Sequence, residues 1–105
     1  MSKFRNRKTK GFDSKKEHRR AQDLLLLEKI GEISNLEFQV PYELLPKQVD
    51  KHGKMLERPV RYIGDFRYTE NEETVVEDSK GMRTRDYILK RKLMLWRFGI
   101  RIRET

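Results

Sequence analysis

The stretch Val75-Val76-Glu77-Asp78-Ser79-Lys80-Gly81 sets an acid and a lysine two residues apart at the end of a β-branched run. Alternate residues of an extended strand share a face, so Asp78 and Lys80 point the same way and Glu77 the other. A second acid, Asp65, is embedded in the aromatic and aliphatic stretch Tyr62-Ile63-Gly64-Asp65-Phe66. Asp65 and Asp78 flank an Asn71-Glu72 turn centre at about equal distance, so a hairpin folded there brings the two carboxylates together. Two carboxylates on one sheet face repel unless a cation sits between them, and hard oxygen donors favour magnesium, with manganese as a substitute. Spacing alone leaves Lys80 two readings: a partner in chemistry at that cation, or an ion pair with Asp78.

Glu17 is a third acid. It precedes Ala21, Leu24 and Leu25 by four, seven and eight residues, which places it on the apolar face of a helix. It is also the fourth member of Ser14-Lys15-Lys16-Glu17, a capping box that needs no metal, and the two roles are compatible. Histidines at 18 and 52 are isolated and cysteine is absent, which excludes disulfides, thiolate sites and a His-rich zinc site.

These residues need elements to hold them. Ser14 to Ile30 has helical spacing and Gly31 offers a C-cap. Leu36 to Val40 alternates as a strand that ends near Pro41 and resumes through Tyr42, Leu44 and Leu45, and Pro46 to Pro59 reads as a connection or hairpin tip. Val60 to Tyr68 is a second strand, with Val60, Tyr62, Phe66 and Tyr68 on one face and Arg61, Ile63, Asp65 and Arg67 on the other. Thr74 to Lys80 is the third. Thr84 caps a second helix that runs to Gly99, with Tyr87, Trp96, Phe98 and the methionines as core, and Ile100 to Arg103 is a last strand that pairs in parallel with the third. The fold class is α/β: helix, three strands, helix, strand around a mixed central sheet.

At 105 residues the chain is one small domain with a single core. No apolar run approaches the roughly 20 residues that span a bilayer, and no signal region follows the basic start. The chain reads as soluble and cytoplasmic. Its net charge of +8 is unevenly spread: nine Lys/Arg against two acids over residues 1–20, seven against thirteen over 21–79, and nine against two over 80–105. Basic ends around an acidic middle suit a polyanion held by its phosphates. Residues 1–12 read as a flexible basic arm carrying Arg5, Arg7, Lys8 and Lys10, and residues 13–105 as the domain. Lys15 near the arm, and Arg83, Arg85, Lys90 and Lys92 after the third strand, continue the basic track. Lys90 and Lys92 cannot share one helix face. Nothing resembles a base-reading helix, so DNA shape rather than sequence is the natural target. A solvated charged surface is the plainer alternative.

Asp65 with Asp78-Ser79-Lys80, set in this order of elements, resembles the PD-(D/E)XK nuclease superfamily, with Gly64 where its name has proline. Asn6-Arg7-Lys8-Thr9, Phe12-Asp13-Ser14-Lys15-Lys16-Glu17, Gln39, Asp65-Phe66-Arg67-Tyr68, Glu77-Asp78-Ser79-Lys80-Gly81 and Lys90-Arg91-Lys92-Leu93 extend the resemblance over nearly the whole chain. They are similar to a family of small phage-encoded proteins of unassigned function within that superfamily, related to Holliday-junction resolvases. The resemblance implies a restriction-endonuclease-like core and a magnesium ion held by Asp65, Asp78, the Ser79 carbonyl and Glu17. It implies that Lys80 orients or deprotonates the attacking water, that Gln39 bonds water or phosphate, and that the activity is magnesium-dependent cleavage of branched DNA in a bacterial host. A junction cutter needs two sites, hence a homodimer, through the leucines of helix one or the aromatic face of the second strand. A nicking or restriction-like nuclease, or a DNA-binding protein without turnover, are the alternatives.

Overall fold

A computed structural model describes residues 11–80 and 82–105, with side chains from residue 15 onward; the basic-arm residues Arg5, Arg7, Lys8 and Lys10, and the strand-stopping Gly81, lie outside the described residues. Helix α1 spans Gly11–Lys29. Ser14 therefore lies inside the helix, not at the N-cap position expected of it. At the other end Gly31, at φ 87°, closes a Schellman motif in which Gly31 N donates to the Glu28 carbonyl and Glu32 N to that of Leu27.

Among the described residues six strands follow or interleave: β1 (Ser34–Leu45), β2 (Gln48–Val49), β3 (Met55–Glu57), β4 (Val60–Glu70), β5 (Glu73–Asp78) and, after helix α2 (Arg85–Phe98), β6 (Arg103–Glu104). The main sheet has the order β1-β4-β5-β6, antiparallel except for the parallel β5–β6 pair, while β2 and β3 form a separate ribbon. The class is α/β with a mixed sheet. Pro41 does not end β1, because β1 is an edge strand, where an absent N–H can face outward. Strand β6 begins at Arg103, three residues later than its apolar alternation suggests. The two preceding isoleucines instead serve the core, Ile102 buried and Ile100 packed beside it.

Val75 and Val76 are strand neighbours and point to opposite faces. Val75 packs with Leu24 of α1, Ile33, Phe66 and Tyr68, whereas Val76 joins Leu44, Tyr62, Ile102 and the α2 residues Tyr87 and Met94. The helices thus cover opposite faces of the sheet, giving three layers. The face assignment expected for β4 needs correcting here. Tyr62 packs on the α2 side and Phe66 and Tyr68 on the α1 side, although even spacing would keep all three together. In β1, Leu36 packs on the α1 side and Tyr42 and Leu44 on the α2 side. Alternation changes sense in both strands at one level, between Phe38 and Val40 and between Gly64 and Phe66. Gln39 takes the left-handed φ of 53° there.

Helix α2 is capped as expected: the Thr84 hydroxyl accepts from Tyr87 N at 3.1 Å and Gly99 terminates it at φ 70°. Its core face is narrower than expected. Tyr87 and Met94 are buried, one heptad apart, but Trp96 is 77% exposed, and Phe98, Met55 and Met82 are exposed as well. The helix has one sheet to cover, and its far side, carrying Leu89 and Trp96, faces away from it.

Candidate active site

The β4–β5 hairpin turns through Asn71 and Glu72, both at positive φ (51° and 67°), between the paired residues Glu70 and Glu73. That is the two-residue turn whose twist matches the flanking strands. Its register runs to Phe66 opposite Glu77. One step further sets Asp65 opposite Asp78. The β1–β4 register, with Phe38 opposite Phe66 and Val40 opposite Gly64, sets Gln39 on the far side of Asp65, and Glu104 of β6 is the parallel partner of Asp78. Four polar residues, Gln39, Asp65, Asp78 and Glu104, thus form one row across the sheet where the alternation changes sense.

Each carboxylate has a fixed partner. Tyr62 Oη donates to Asp78 Oδ2 at 2.6 Å, and Lys80 Nζ stands 3.6 Å from Asp78 Oδ1. Ser79 N donates to Asp65 Oδ2 at 2.9 Å. Gln39 Nε2 donates to Glu17 Oε2 at 2.9 Å, which ties α1 to the edge strand beside the two acids. Burial raises the Asp65 carboxyl to about 7, aided by the Asp78 charge and, less, by that of Glu17, against the opposing Ser79 N–H. Burial and the bond to Asp78 also raise the Tyr62 phenol, which therefore stays a donor. Lys80 Nζ lies 4.4 Å from the centre of the Tyr87 ring, a cation–π contact. The Tyr87 hydroxyl in turn donates to Glu104 at 2.7 Å.

The residue before Asp65, Gly64, has no room for a side chain. A Cβ at this position would meet Val76 Cγ1 at 2.9 Å and the Tyr62 ring at 3.4 Å, so the strand passes its neighbour too closely for a side chain.

Glu77 occupies the opposite face, as strand parity requires, and is salt-bridged there to Arg20. It is fully buried and accepts from Arg20 Nε (2.6 Å), Arg20 Nη2 (3.0 Å), Tyr68 Oη (2.6 Å) and Thr105 Oγ1 (3.2 Å). Its oxygens are spent, which answers from geometry which acid of the Glu77-Asp78 pair faces Asp65.

The basic track is partly consumed. Arg83 and Arg91 both bond Glu104, and Lys90 pairs with Asp86 one turn away. Lys15, Arg85 and Lys92 are exposed. Arg83 and Lys90, expected to meet phosphate, carry these ion pairs at the surface.

The donor set suits a hard cation in a limited way. Among the described residues no group of three or more Asp, Glu, His or Cys side chains is clustered tightly enough to hold a metal by itself. Two adjoining carboxylates match magnesium, which keeps several waters and takes only one or two carboxylates. Glu17 is held by Gln39 beside the pair and does not complete a three-acid cage.

Tyr62, Tyr87 and Glu104 escaped the reading of the sequence. An aromatic residue in a strand reads as core, and these phenols are core residues whose polar ends reach the acids. The only available signal was that Tyr rather than Phe stands at 62 and 87.

Fold and site define a small α/β domain with paired acids and a lysine at a strand end. The chain belongs to the family described as protein of unknown function DUF1064, whose model matches residues 1–103. No curated protein and no solved structure matches it.

Proposed function

We propose that this protein is a magnesium-dependent endonuclease that cuts DNA by its shape, with branched DNA such as a four-way junction as its substrate. The observation that carries the reading is the juxtaposition of Asp65, Asp78 and Lys80 at the end of β5. The order of helix, strands, helix and strand, with these acids on adjacent strands, is consistent with the restriction-endonuclease-like core of the PD-(D/E)XK resemblance.

Asp65 and Asp78 would hold the ion, with the Ser79 carbonyl and with Glu17 alongside. A bound magnesium would supply polarisation of the phosphodiester and stabilisation of the leaving oxygen. The rest falls to this chain. The Tyr62 phenol fixes Asp78 Oδ2 and leaves Oδ1 toward the site, while the Ser79 N–H fixes one oxygen of Asp65. Lys80, steadied by the Tyr87 ring, orients the water that attacks phosphorus as the P–O bond to the departing strand breaks. Exposed Lys15, Arg85 and Lys92 hold neighbouring phosphates without reading bases. A junction has two strands to cut, so a symmetric dimer supplies the second site. Among the described residues no helix is long and apolar enough to cross a membrane, and the proposed setting is the cytoplasm of a bacterial host.

The test is cleavage of four-way junction, flap, nicked and linear duplex DNA by the purified protein, with magnesium or EDTA, beside Asp78→Ala. Symmetric, magnesium-dependent cuts in the junction that vanish in Asp78→Ala support the reading. Cleavage that survives the substitution or needs no metal overturns the site, preference for linear duplex selects a restriction-like nuclease, and tight binding without cleavage selects a DNA-binding protein.

A further inference from the structure

Strands β1 and β4 pair as far as Leu45 opposite Val60, and the chain between them goes on as the separate β2–β3 ribbon. Pro46 and Pro59 stand at its neck, where they lack the N–H groups of a ladder, and pairing resumes with Gln48 opposite Glu57. Residues 45–49 and 51–58 are all exposed. The tip is fixed by its own bonds: Asp50 Oδ1 accepts from His52 N at 2.8 Å and Lys54 N at 2.9 Å, and Gly53, at φ 85°, donates to the Asp50 carbonyl. A two-stranded ribbon is marginal in water by itself, so these bonds keep in shape an arm that has no core of its own.

The arm combines two features that are kept apart elsewhere in the chain. Val49, Met55 and Leu56 are exposed and belong to neither core cluster. Between the pairs Gln48–Glu57 and Val49–Met55, β2 advances one residue and β3 two, so Leu56, 60% exposed, is the extra residue of a bulge. Residues 46–59 also carry four Lys/Arg against two acids, whereas the rest of residues 21–79 carries three against eleven. Unlike Arg83, Lys90 and Arg91, the arm cations Lys47, Lys51, Lys54 and Arg58 form no ion pair with any described residue. Unpaired cations beside exposed apolar side chains suit a polyanion that also has apolar faces, and the equally basic arm of a second copy would be repelled.

The fold aims this arm past the acids. Strand β5 runs against β4 and ends level with Asp65, so Asp78 and Lys80 leave the sheet toward the end from which the arm projects. Leu56 precedes Asp65 by nine residues. At about 3.3 Å per residue that is at most about 30 Å, within the roughly 34–36 Å of one turn of duplex. DNA lying on the acids is therefore in reach of the arm.

We infer that the β2–β3 arm is the element that selects branched over linear DNA: its cations hold phosphates beside the branch, and Leu56, turned out by the bulge, packs on bases unstacked there. In a continuous duplex such an apolar side chain must first force a base step open, whereas a branch offers one already opened. The inference rests on the nuclease reading for the presence of branched DNA at Asp65 and Asp78, and on the bulge, the free cations and the direction of the ribbon for the part played by the arm.

Fluorescence anisotropy of the full chain in EDTA compares a four-way junction with linear duplex of equal length for wild type, Leu56→Ser and the double variant Lys51→Gln/Lys54→Gln. All three unfold at nearly the same temperature, because surface substitutions outside the core change stability little. Wild type prefers the junction. Leu56→Ser weakens junction binding by about 10-fold, the effect of losing a buried leucine side chain, and duplex binding by less than about 2-fold. For the double variant the log–log dependence of junction affinity on salt is shallower by about 2.

Equal losses on both DNAs in Leu56→Ser, no loss on either, no wild-type preference, or an unchanged salt slope in the double variant overturns the arm. Light scattering of the DNA-free chains covers the other occupant: a smaller assembly for Leu56→Ser than for wild type makes the arm a contact between copies and overturns its role on DNA. No measurement depends on cutting. Magnesium-dependent cleavage with unchanged selectivity in Leu56→Ser removes the arm and leaves the nuclease standing, whereas a junction-specific loss with no cleavage by any chain supports the arm and removes the nuclease.

Discussion

Glu77 and Asp78 are neighbours in one strand, both buried, and their surroundings are opposite in kind. Glu77 accepts four hydrogen bonds, two of them from the Arg20 guanidinium. Asp78 has the Tyr62 phenol, a lysine at 3.6 Å and a second acid across the hairpin. A carboxylate surrounded by donors is finished and holds α1 to the sheet. One set beside another carboxylate keeps an unmet electrostatic demand, and that demand is what a cation or substrate can answer.

Removing the partner of the finished acid has the largest effect. Arg20→Ala leaves a buried carboxylate uncompensated and destabilises the protein by about 3–5 kcal/mol in urea unfolding. A loss below about 1 kcal/mol would show that Glu77 does not depend on Arg20. On the other face, Tyr62→Phe keeps the fold and removes the donor that orients Asp78, so under the proposed nuclease function the magnesium dependence of cleavage shifts by about 10–100-fold. An unchanged dependence would detach Tyr62 from the site. Gly64→Ala, which drives a methyl group into Val76 between the faces, costs about 1–3 kcal/mol, read as a lower midpoint of unfolding.

The smallest effect is the one that separates the two faces most sharply. The folded-state pKa of Asp65 is raised from 3.8 to about 7, so its share of stability is full below pH 3.8 and is lost as pH rises through 7. The metal-free protein therefore loses stability over that window, Asp65→Asn flattens the loss, and magnesium restores it at neutral pH. Glu104 has the opposite sign. Its pKa is lowered to about 2, chiefly by the Tyr87 hydroxyl and then by Arg83 and Arg91, so its contribution is present above 4.5 and lost as pH falls toward 2. Unfolding midpoints followed from pH 2 to 8 in EDTA with Asp65→Asn and Glu104→Gln read both limbs. Parallel curves for wild type and Asp65→Asn above pH 4 would show that burial beside Asp78 does not raise the Asp65 carboxyl.

What could be read from the sequence was whatever is local. The Asn71-Glu72 turn and a period of two suffice to bring Asp65 to Asp78, and Thr84 and Gly99 mark the ends of α2 because capping is a matter of adjacent residues. What could not be read depends on tertiary neighbours. The change of alternation at Gln39 and Asp65 breaks the periodicity from which faces are assigned, so a period of two sets Tyr62 with Phe66 although it packs with Val76. The hydrophobicity of Trp96 indicates a preference for burial without showing whether anything is there to cover it. That Arg83 pairs with Glu104 across the crossover, and Lys90 with Asp86 one turn away, could not be read from a count of basic residues either.

Lys80 N bonds the Thr105 carbonyl, and Thr105 N bonds the Asp78 carbonyl. The strand end bearing Asp78 and Lys80 is therefore stapled by chain that arrives only after the whole of α2. The hairpin that joins Asp65 to Asp78 has local contacts and closes in about 1–10 μs, whereas the parallel staple must wait for a long loop to close. The two acids meet while still in water, where repulsion is weak, and docking of the last strand then seals them against solvent. Assembly of this protein thus ends where Asp65, Asp78 and Lys80 meet.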